Sequence, residues 1–522
     1  MSELSPTPDA ALPAEAEVVV VGAGHNGLVC AGYLAAAGLE VVVLEAAATP
    51  GGNTRTEPLT LPGFAHDSCS SAHVLIQNNP LIRDDELGLV GQYGLTYLTT
   101  DPALVMPLPD GDALVMRPDV EATCEELARF SPRDAAALRT MMEEWSDGLA
   151  AAHGRWSSAL PLERHDAARR YVDLRARSAW DVVHERFEHP TIRDFVLWLA
   201  MATIQDPRRV GTGFLPSSLT AGRLSFGWTT PVGGSQALPD ALVRQLGDHG
   251  GRVVCSAPVA AIEAAPDGVR RVRTTDGRSV RVGRAVVAGS HLAQLADMLH
   301  GVDPPADLVL ARDSWRPGLS VFAVHAALRG DLSFGSAGLR SAAAGFGSAA
   351  GFAAQIDAHH RGESDATDPW LLVVNQTVVD PGRAPDAGAT FKILTIAPYE
   401  RRDGRDWSQA KREYAERLLD LVRSRADGLA AADILSWRAE SPPDVAAHNP
   451  FNVGGSCHGG EFVVDGGVLP GWLRYDTDVP GLFVTGATAH PGGSVSGRPG
   501  RNAARRVLSD LGLDPLAVMG PG

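Results

Sequence analysis

The feature that most limits how this chain can fold is a glycine turn, Gly22-Ala23-Gly24-His25-Asn26-Gly27, set between a run of valines and a helix-forming segment. From Glu17 to Val21 the residues are β-branched without alternation, the pattern of a strand buried on both faces. Leu28 to Ala37 has helix-compatible spacing, Gly38 stops it, and Leu39 to Glu45 returns as a second buried strand. The prediction is one βαβ unit of about 30 residues. In such a unit the first glycine allows a tight turn, the second lets the backbone approach a pyrophosphate, and the third lets the helix pack against the strand. The N–H groups at the helix start then favour the anion. Glu45 stands 23 positions after Gly22 at the end of the second strand. A carboxylate there accepts both hydroxyls of a ribose and repels a 2′-phosphate. This much predicts a dinucleotide site without deciding between NAD and FAD.

A chain of 522 residues, 44 % of them apolar, is long enough for two to four domains with a substantial core. Its 62 acidic residues outnumber 46 basic ones, a net charge of −16 that makes nucleic acid and anionic lipid poor partners. Only Lys392 and Lys411 are lysines, which reads as a codon bias and carries no function. The five cysteines are scattered, odd in number and form no C-x-x-C or C-x₄-C pair, so neither a disulfide framework nor a metal site is expected. That spacing argues for a reduced, cytoplasmic protein and against a flavin disulfide reductase, whose chemistry needs two neighbouring thiols. No signal peptide and no transmembrane segment is expected.

Residues 1–16 read as a flexible tail. Helical signals dominate 84–210, among them Ser131-Pro132 as N-cap and first-turn proline, and a Trp-rich stretch from Trp180 to Met201. Residues 301–450 read as an α/β block with strands near Leu319–Leu328, Leu371–Val379 and Thr390–Ala397 and an amphipathic helix from Trp407 to Arg425. The Gly- and Ala-rich segment Ser341 to Ala354 reads as a mobile loop. A second glycine pattern, Gly345-x-Gly347-x-x-Ala350, lies inside it and is not preceded by a predicted strand, so one dinucleotide site is expected. His359-His360 reads as a solvated pair.

Gly51-Gly52, followed by Arg55, resembles the glycine doublet of glutathione-reductase-like flavoproteins, particularly the amine oxidase and phytoene desaturase group. The group more often has arginine directly after the doublet, where this chain has Asn53. Pro231 to Glu263 resembles the desaturase segment in which a helix leads into the strand beside the adenine. The ending Pro480 to Gly493, then Gly497 and Gly500-Arg501-Asn502-Ala503-Ala504, resembles the C-terminal flavin-binding signature. With HNGL in the first turn and HPGG and GRNAA at the end, the chain is most similar to phytoene-dehydrogenase-related proteins akin to pyridine nucleotide-disulfide oxidoreductase domain-containing protein 2.

The resemblance implies an α/β fold: a glutathione-reductase-like FAD-binding Rossmann domain from 17–83, 211–300 and 451–522, with an inserted mixed α+β substrate domain (301–450) and helical layer (84–210). It implies non-covalent FAD held by Gly22, Gly24, His25, Asn26, Gly27, Glu45, Gly51, Gly52, Arg55, Val259, Gly486, Gly492, Gly493, Gly497 and Asn502, with the backbone at Val259 meeting adenine. The implied activity is dehydrogenation or desaturation of a small organic substrate by hydride transfer to flavin N5. Oxygen, a quinone or another carrier would be the electron acceptor. Alternatives on the same fold are an amine or amino-acid oxidase, a non-redox isomerase and a non-catalytic binding protein. A helix opening at Gly497 to Asn502 would place N–H donors where a reduced flavin gathers negative charge. His490 and Arg498 are the candidate catalytic residues. His490 either faces the flavin or holds its glycine turn in shape. Arg498 adds charge over the flavin, reaches a substrate carboxylate, or points to solvent.

Overall fold

The computed structural model describes residues 11–158, 165–364, 367–461, 463–464, 467–468 and 475–520. Most of the predicted tail, residues 1–10, lies outside that set.

The valine run forms β1 (Glu15–Val21), the glycine turn leads into α1 (His25–Ala36), and β2 (Val41–Leu44) lies parallel to β1. Both strands are buried because their side chains face packed layers on either side. Gly22 adopts φ +94°, and a Cβ on Gly27 would come within 2.2 Å of the Gly22 carbonyl oxygen. The helix can sit on this turn only because that position has no side chain.

β1 and β2 are central to an eight-stranded sheet that also takes Arg252–Val254 beside β2 and Ser279–Ala288 beside β1. Leu482–Val484 pairs with Ser279–Ala288, so the chain's last segment returns to the first sheet some 460 residues after β1. A hairpin of Val259–Ala265 and Gly268–Thr274 extends the far edge. α1 packs with the helices Ala237–Asp248 and Arg498–Asp510 in one apolar layer.

A second sheet of seven strands runs Ile434–Glu440, Val321–Leu328, Ala389–Ile396, Leu371–Val374, Ala343–Phe346, Leu104–Pro107 and Ala113–Met116. The helix Trp407–Arg423 covers one face, and the helix Pro190–Met201 belongs to the core on the other. Two expectations change here. Residues 84–210 are not purely helical, since Leu104–Pro107 and Ala113–Met116 join this sheet. The stretch read as a mobile loop is instead a buried strand, Ala343–Phe346, and a helix, Ala349–Arg361, capped by Ser348.

The reason is packing: the Trp198 indole lies where a Cβ on Gly345 would be, 2.7 Å away, so small residues are what that strand requires. The glycine pattern there begins inside that strand, at Gly345, and beside Gly347 the Pro369 carbonyl and the Phe352 ring fill the space a phosphate would need. His359 is likewise not solvated, because its Nε2 meets the Ser320 backbone and hydroxyl at 3.2 and 3.1 Å. Among the described residues no helix is long and apolar enough to cross a membrane.

Candidate active site

One cavity of about 650 Å³ runs between the two sheets. Of the residues expected to hold the dinucleotide, Gly22, Gly24, His25, Asn26, Gly27, Glu45, Gly52, Val259 and Gly486 line it. The helix α1 begins at this wall with Gly24 as N-cap, no capping side chain and no acidic residue in its first turn. Its first N–H groups are therefore free for an anion. A Cβ on Gly24 would meet no protein atom within 4 Å, so the space beside that backbone belongs to the cavity. At the same wall the buried His25 Nε2, Asn26 Oδ1 and Ser290 Oγ have no hydrogen-bond partner among the described residues. Buried polar atoms are rarely left so; a polar ligand laid along this wall accounts for all three.

The Glu45 carboxylate accepts the Ala23 N–H at 2.6 Å and the Ala47 N–H at 2.8 Å, which fixes it at the cavity's nucleotide end with Pro258 and Val259. The residues present fit FAD: a carboxylate at the end of the second strand, an uncapped helix start and a long cavity continuing toward the second sheet.

The remaining predicted residues stand behind this wall. Gly51 donates its N–H to the Ala23 carbonyl, and the buried Arg55 braces the Gly52 and His448 carbonyls at 3.0 and 3.2 Å. Asn53 pairs its amide with Asn452 and accepts from Asn449, tying the doublet to the segment before the C-terminal signature. Gly492 closes a turn onto Ala489, and Gly497 caps the last helix at φ +64°. Asn502 donates to the Ser157 carbonyl and the Tyr475 hydroxyl.

His490 also lies outside the cavity. Its Nε2 meets the Trp156 carbonyl at 2.5 Å, its ring stands edge-on to Trp156, and burial lowers its pKa to about 4. The ring is tied to the helix Ala150–Ser158 and faces away from the main cavity. Nor do Gly497 to Asn502 reach the main cavity. Arg501 in that helix is neutralised by Glu86 at 2.6 and 2.8 Å. Gly493 and Arg498 line a second, adjoining chamber.

The cavity's other end is built from residues the sequence did not single out. Lys392, on the central strand Ala389–Ile396, is 5 % exposed and lines the wall. Its ammonium donates to the Asp67 carbonyl (3.2 Å), the Cys69 carbonyl (2.5 Å) and the Ser71 hydroxyl (3.2 Å). Burial lowers its pKa, opposed by the nearby acidic groups. Beneath it, Asp67 pairs with the buried Arg383 at 2.7 Å; burial alone would raise the Asp67 pKa, and the guanidinium reverses that.

Cys69 and Cys457 line the same end, and their thiols hydrogen-bond each other. That bond holds Cys69 below the ordinary thiol range despite burial, with Lys392 adding to the effect, and pushes Cys457 up. Neighbouring thiols therefore exist here, which spacing in the sequence concealed. Cys457 also meets His458 Nδ1 at 3.0 Å, and burial lowers the His458 pKa to about 4, so a neutral ring faces the cavity. Leu199, Leu219, Trp228, Leu372, Val374 and Leu394 make the rest of this end apolar.

The fold and the cavity define an FAD-dependent oxidoreductase. The sequence profile of the flavin containing amine oxidoreductases matches residues 27–508, and the chain belongs to that family. It is 25 % identical to mouse pyridine nucleotide-disulfide oxidoreductase domain-containing protein 2, over 96 % of this chain and 94 % of that protein. It is 26 % identical to the lycopene-forming phytoene desaturase of Pseudescherichia vulneris, over 96 % and 99 %. Cyclohexylamine oxidase from Brevibacterium oxydans shares the fold, with a TM-score of 0.60 at 18 % identity over 95 % of this chain and all of that one.

Proposed function

We propose that this enzyme dehydrogenates an apolar substrate carbon chain, in the manner of a desaturase, and does not oxidise amines. The observation that carries this reading is the charge at the cavity's reactive end. The cations there are Lys392 and Arg223, the latter lying over the Trp228 ring, while Glu45 and Asp297 are the carboxylates lining the cavity among the described residues. Glu45 stands at the nucleotide end, and Asp297 lies in the helix Leu292–Met298 that packs beside Val259. An amine arrives as an ammonium ion at neutral pH. Two like charges about 4 Å apart repel by about 4 kcal/mol at an effective dielectric constant of about 20. A neutral hydrocarbon chain instead gains from the leucines and Trp228, at about 25 cal/mol per Å² of apolar surface covered.

FAD, held by the glycine turn and Glu45, would supply the hydride acceptor for a substrate C–H bond, with the neighbouring proton passing to a base or water as the double bond forms. The residues of this chain do the rest. Glu45 and the start of α1 hold the nucleotide. Lys392 presents a fixed positive charge to the reactive end, where negative charge accumulates on reduction, and its three acceptors keep it oriented without neutralising it. The apolar wall excludes water from the reacting carbon. The similarity to a phytoene desaturase supports this direction.

The test is anaerobic mixing of the FAD-loaded enzyme with acyclic isoprenoid hydrocarbons, long-chain alkyl compounds and primary amines, followed by absorbance near about 450 nm and product mass. The reading predicts bleaching by an apolar compound with loss of two hydrogens. Fastest bleaching by a primary amine, with an imine or aldehyde as product, would reverse it.

A further inference from the structure

The second chamber, about 380 Å³, opens beside the reactive end of the main cavity. Val74, Leu75, Thr203, Leu219, Gly222 and His458 line both spaces, so a substrate seated in one can extend into the other. Its wall carries large apolar side chains, Met142, Trp145, Trp156, Phe214 and Leu215, interleaved with His153 and several serines. Among the described residues one charged side chain lines it, Arg498, the first residue of the helix Arg498–Asp510.

The guanidinium of Arg498 donates to the Ser158 hydroxyl at 2.9 Å and to the Asn78 carbonyl at 3.0 Å, both neutral acceptors. No carboxylate bonds to it among the described residues. Glu86, the acid on that side, is committed to Arg501 through two hydrogen bonds and to the Tyr33 hydroxyl. Burial, then the charges of Arg501 and Arg83, lowers the Arg498 pKa to about 10, the mark of a cation short of counter-charge. A guanidinium is held in a largely desolvated place only with a partner or at a cost, and its planar fork matches a carboxylate.

We propose that this chamber receives the tail of the substrate and that Arg498 pairs with a carboxylate at the tail's end. The substrate class is thus an amphiphilic carboxylic acid: an apolar chain whose reacting carbons lie by Lys392 and whose acid group lies by Arg498. A diphosphate is a poorer match, because one guanidinium lines the chamber and a monoanion balances it. The inference rests on the dehydrogenase reading and narrows its substrate.

The test uses the FAD-loaded protein, with decanoate and decanol as probes and isothermal titration calorimetry as the readout, FAD content being recorded for every sample. Decanoate is expected to bind at least tenfold more tightly than decanol. In Arg498→Gln that preference should fall to within twofold, with decanol affinity and FAD content unchanged, and Arg498→Lys should keep part of it. Equal affinities in the wild-type protein, or a preference that survives in Arg498→Gln, overturn the proposal. Should decanoate show the Arg498-dependent preference while only amines reduce the flavin, the subsite stands and the dehydrogenase reading fails.

Discussion

Lowering the pH from 7 to 5 should strongly destabilise this protein, and buried histidines set the size of the effect. His66, His73, His291 and His490 are each 5 % exposed or less. Burial lowers their pKa values to about 3, 3, 4 and 4. In the unfolded chain each ring titrates near 6.5, so as the pH falls below that value the unfolded state takes up protons first. Stability is therefore lost from about pH 6.5 down to the folded values and is fully present above that window. One such ring costs about 0.7 kcal/mol at pH 6 and about 2 kcal/mol at pH 5, relative to pH 7.

Four independent rings cost about 3 and about 8 kcal/mol, against a typical total stability of about 5 to 15 kcal/mol. His25, His153, His359 and His458 shift in the same direction and add to the loss. The assay is urea unfolding followed by tryptophan fluorescence at pH 7, 6 and 5 with FAD saturating, reading the first cooperative transition. His73 is the ring to isolate, since its ring nitrogens meet two neutral hydroxyls, those of Tyr97 and Ser235, at 3.3 and 3.2 Å. His73→Gln should remove about 2 kcal/mol of the loss at pH 5. A free energy that changes by less than about 2 kcal/mol between pH 7 and pH 5 would refute the claim that these rings are held neutral.

Gly24→Val should abolish FAD binding while leaving the apoprotein's melting temperature unchanged, because its side chain enters the cavity. Gly27→Val should lower that temperature as well, because its Cβ collides with the Gly22 carbonyl. Glu45→Ala should weaken FAD binding by about 1 to 3 kcal/mol, the scale of a lost charge-assisted hydrogen bond, as read by flavin fluorescence titration. Arg383→Met leaves Asp67 charged, buried and unpaired and should cost about 3 to 5 kcal/mol in urea unfolding, with partial recovery in the double variant carrying Asp67→Asn.

What the sequence displays and what it hides follow from the range of the interactions involved. The turn from Gly22 to Gly27, the cap at Ser131-Pro132 and the amphipathic helix from Trp407 are short-range devices, and each forms where its residues announce it. The nucleotide half of the site is legible for that reason, since Gly24 and Glu45 are brought together by one βαβ unit.

The reactive half is not. Lys392 meets Cys69 across 323 positions, and Cys69 meets Cys457 only once the second sheet and the C-terminal segment have closed on each other. A rare lysine in an arginine-rich chain was the available signal for the first. No spacing rule reveals the second. Gly345 misleads in the opposite sense, because a run of small residues reads as a loop until Trp198 is seen lying on it. His490 sits within a flavin signature yet is tied to the helix Ala150–Ser158, since sequence neighbourhood does not specify which way a ring faces.

The central claim is that the cavity holds FAD with its reactive ring toward Lys392. The most direct test is the two-electron potential of the bound flavin in wild-type protein and in Lys392→Met, at equal FAD occupancy. A cation at that end favours the reduced, more negative flavin, so its removal should make the potential more negative by about 30 mV or more, about 1.4 kcal/mol for two electrons. An unchanged potential in a variant that binds FAD normally would contradict the account, because Lys392 would then lie too far from the flavin to act on it.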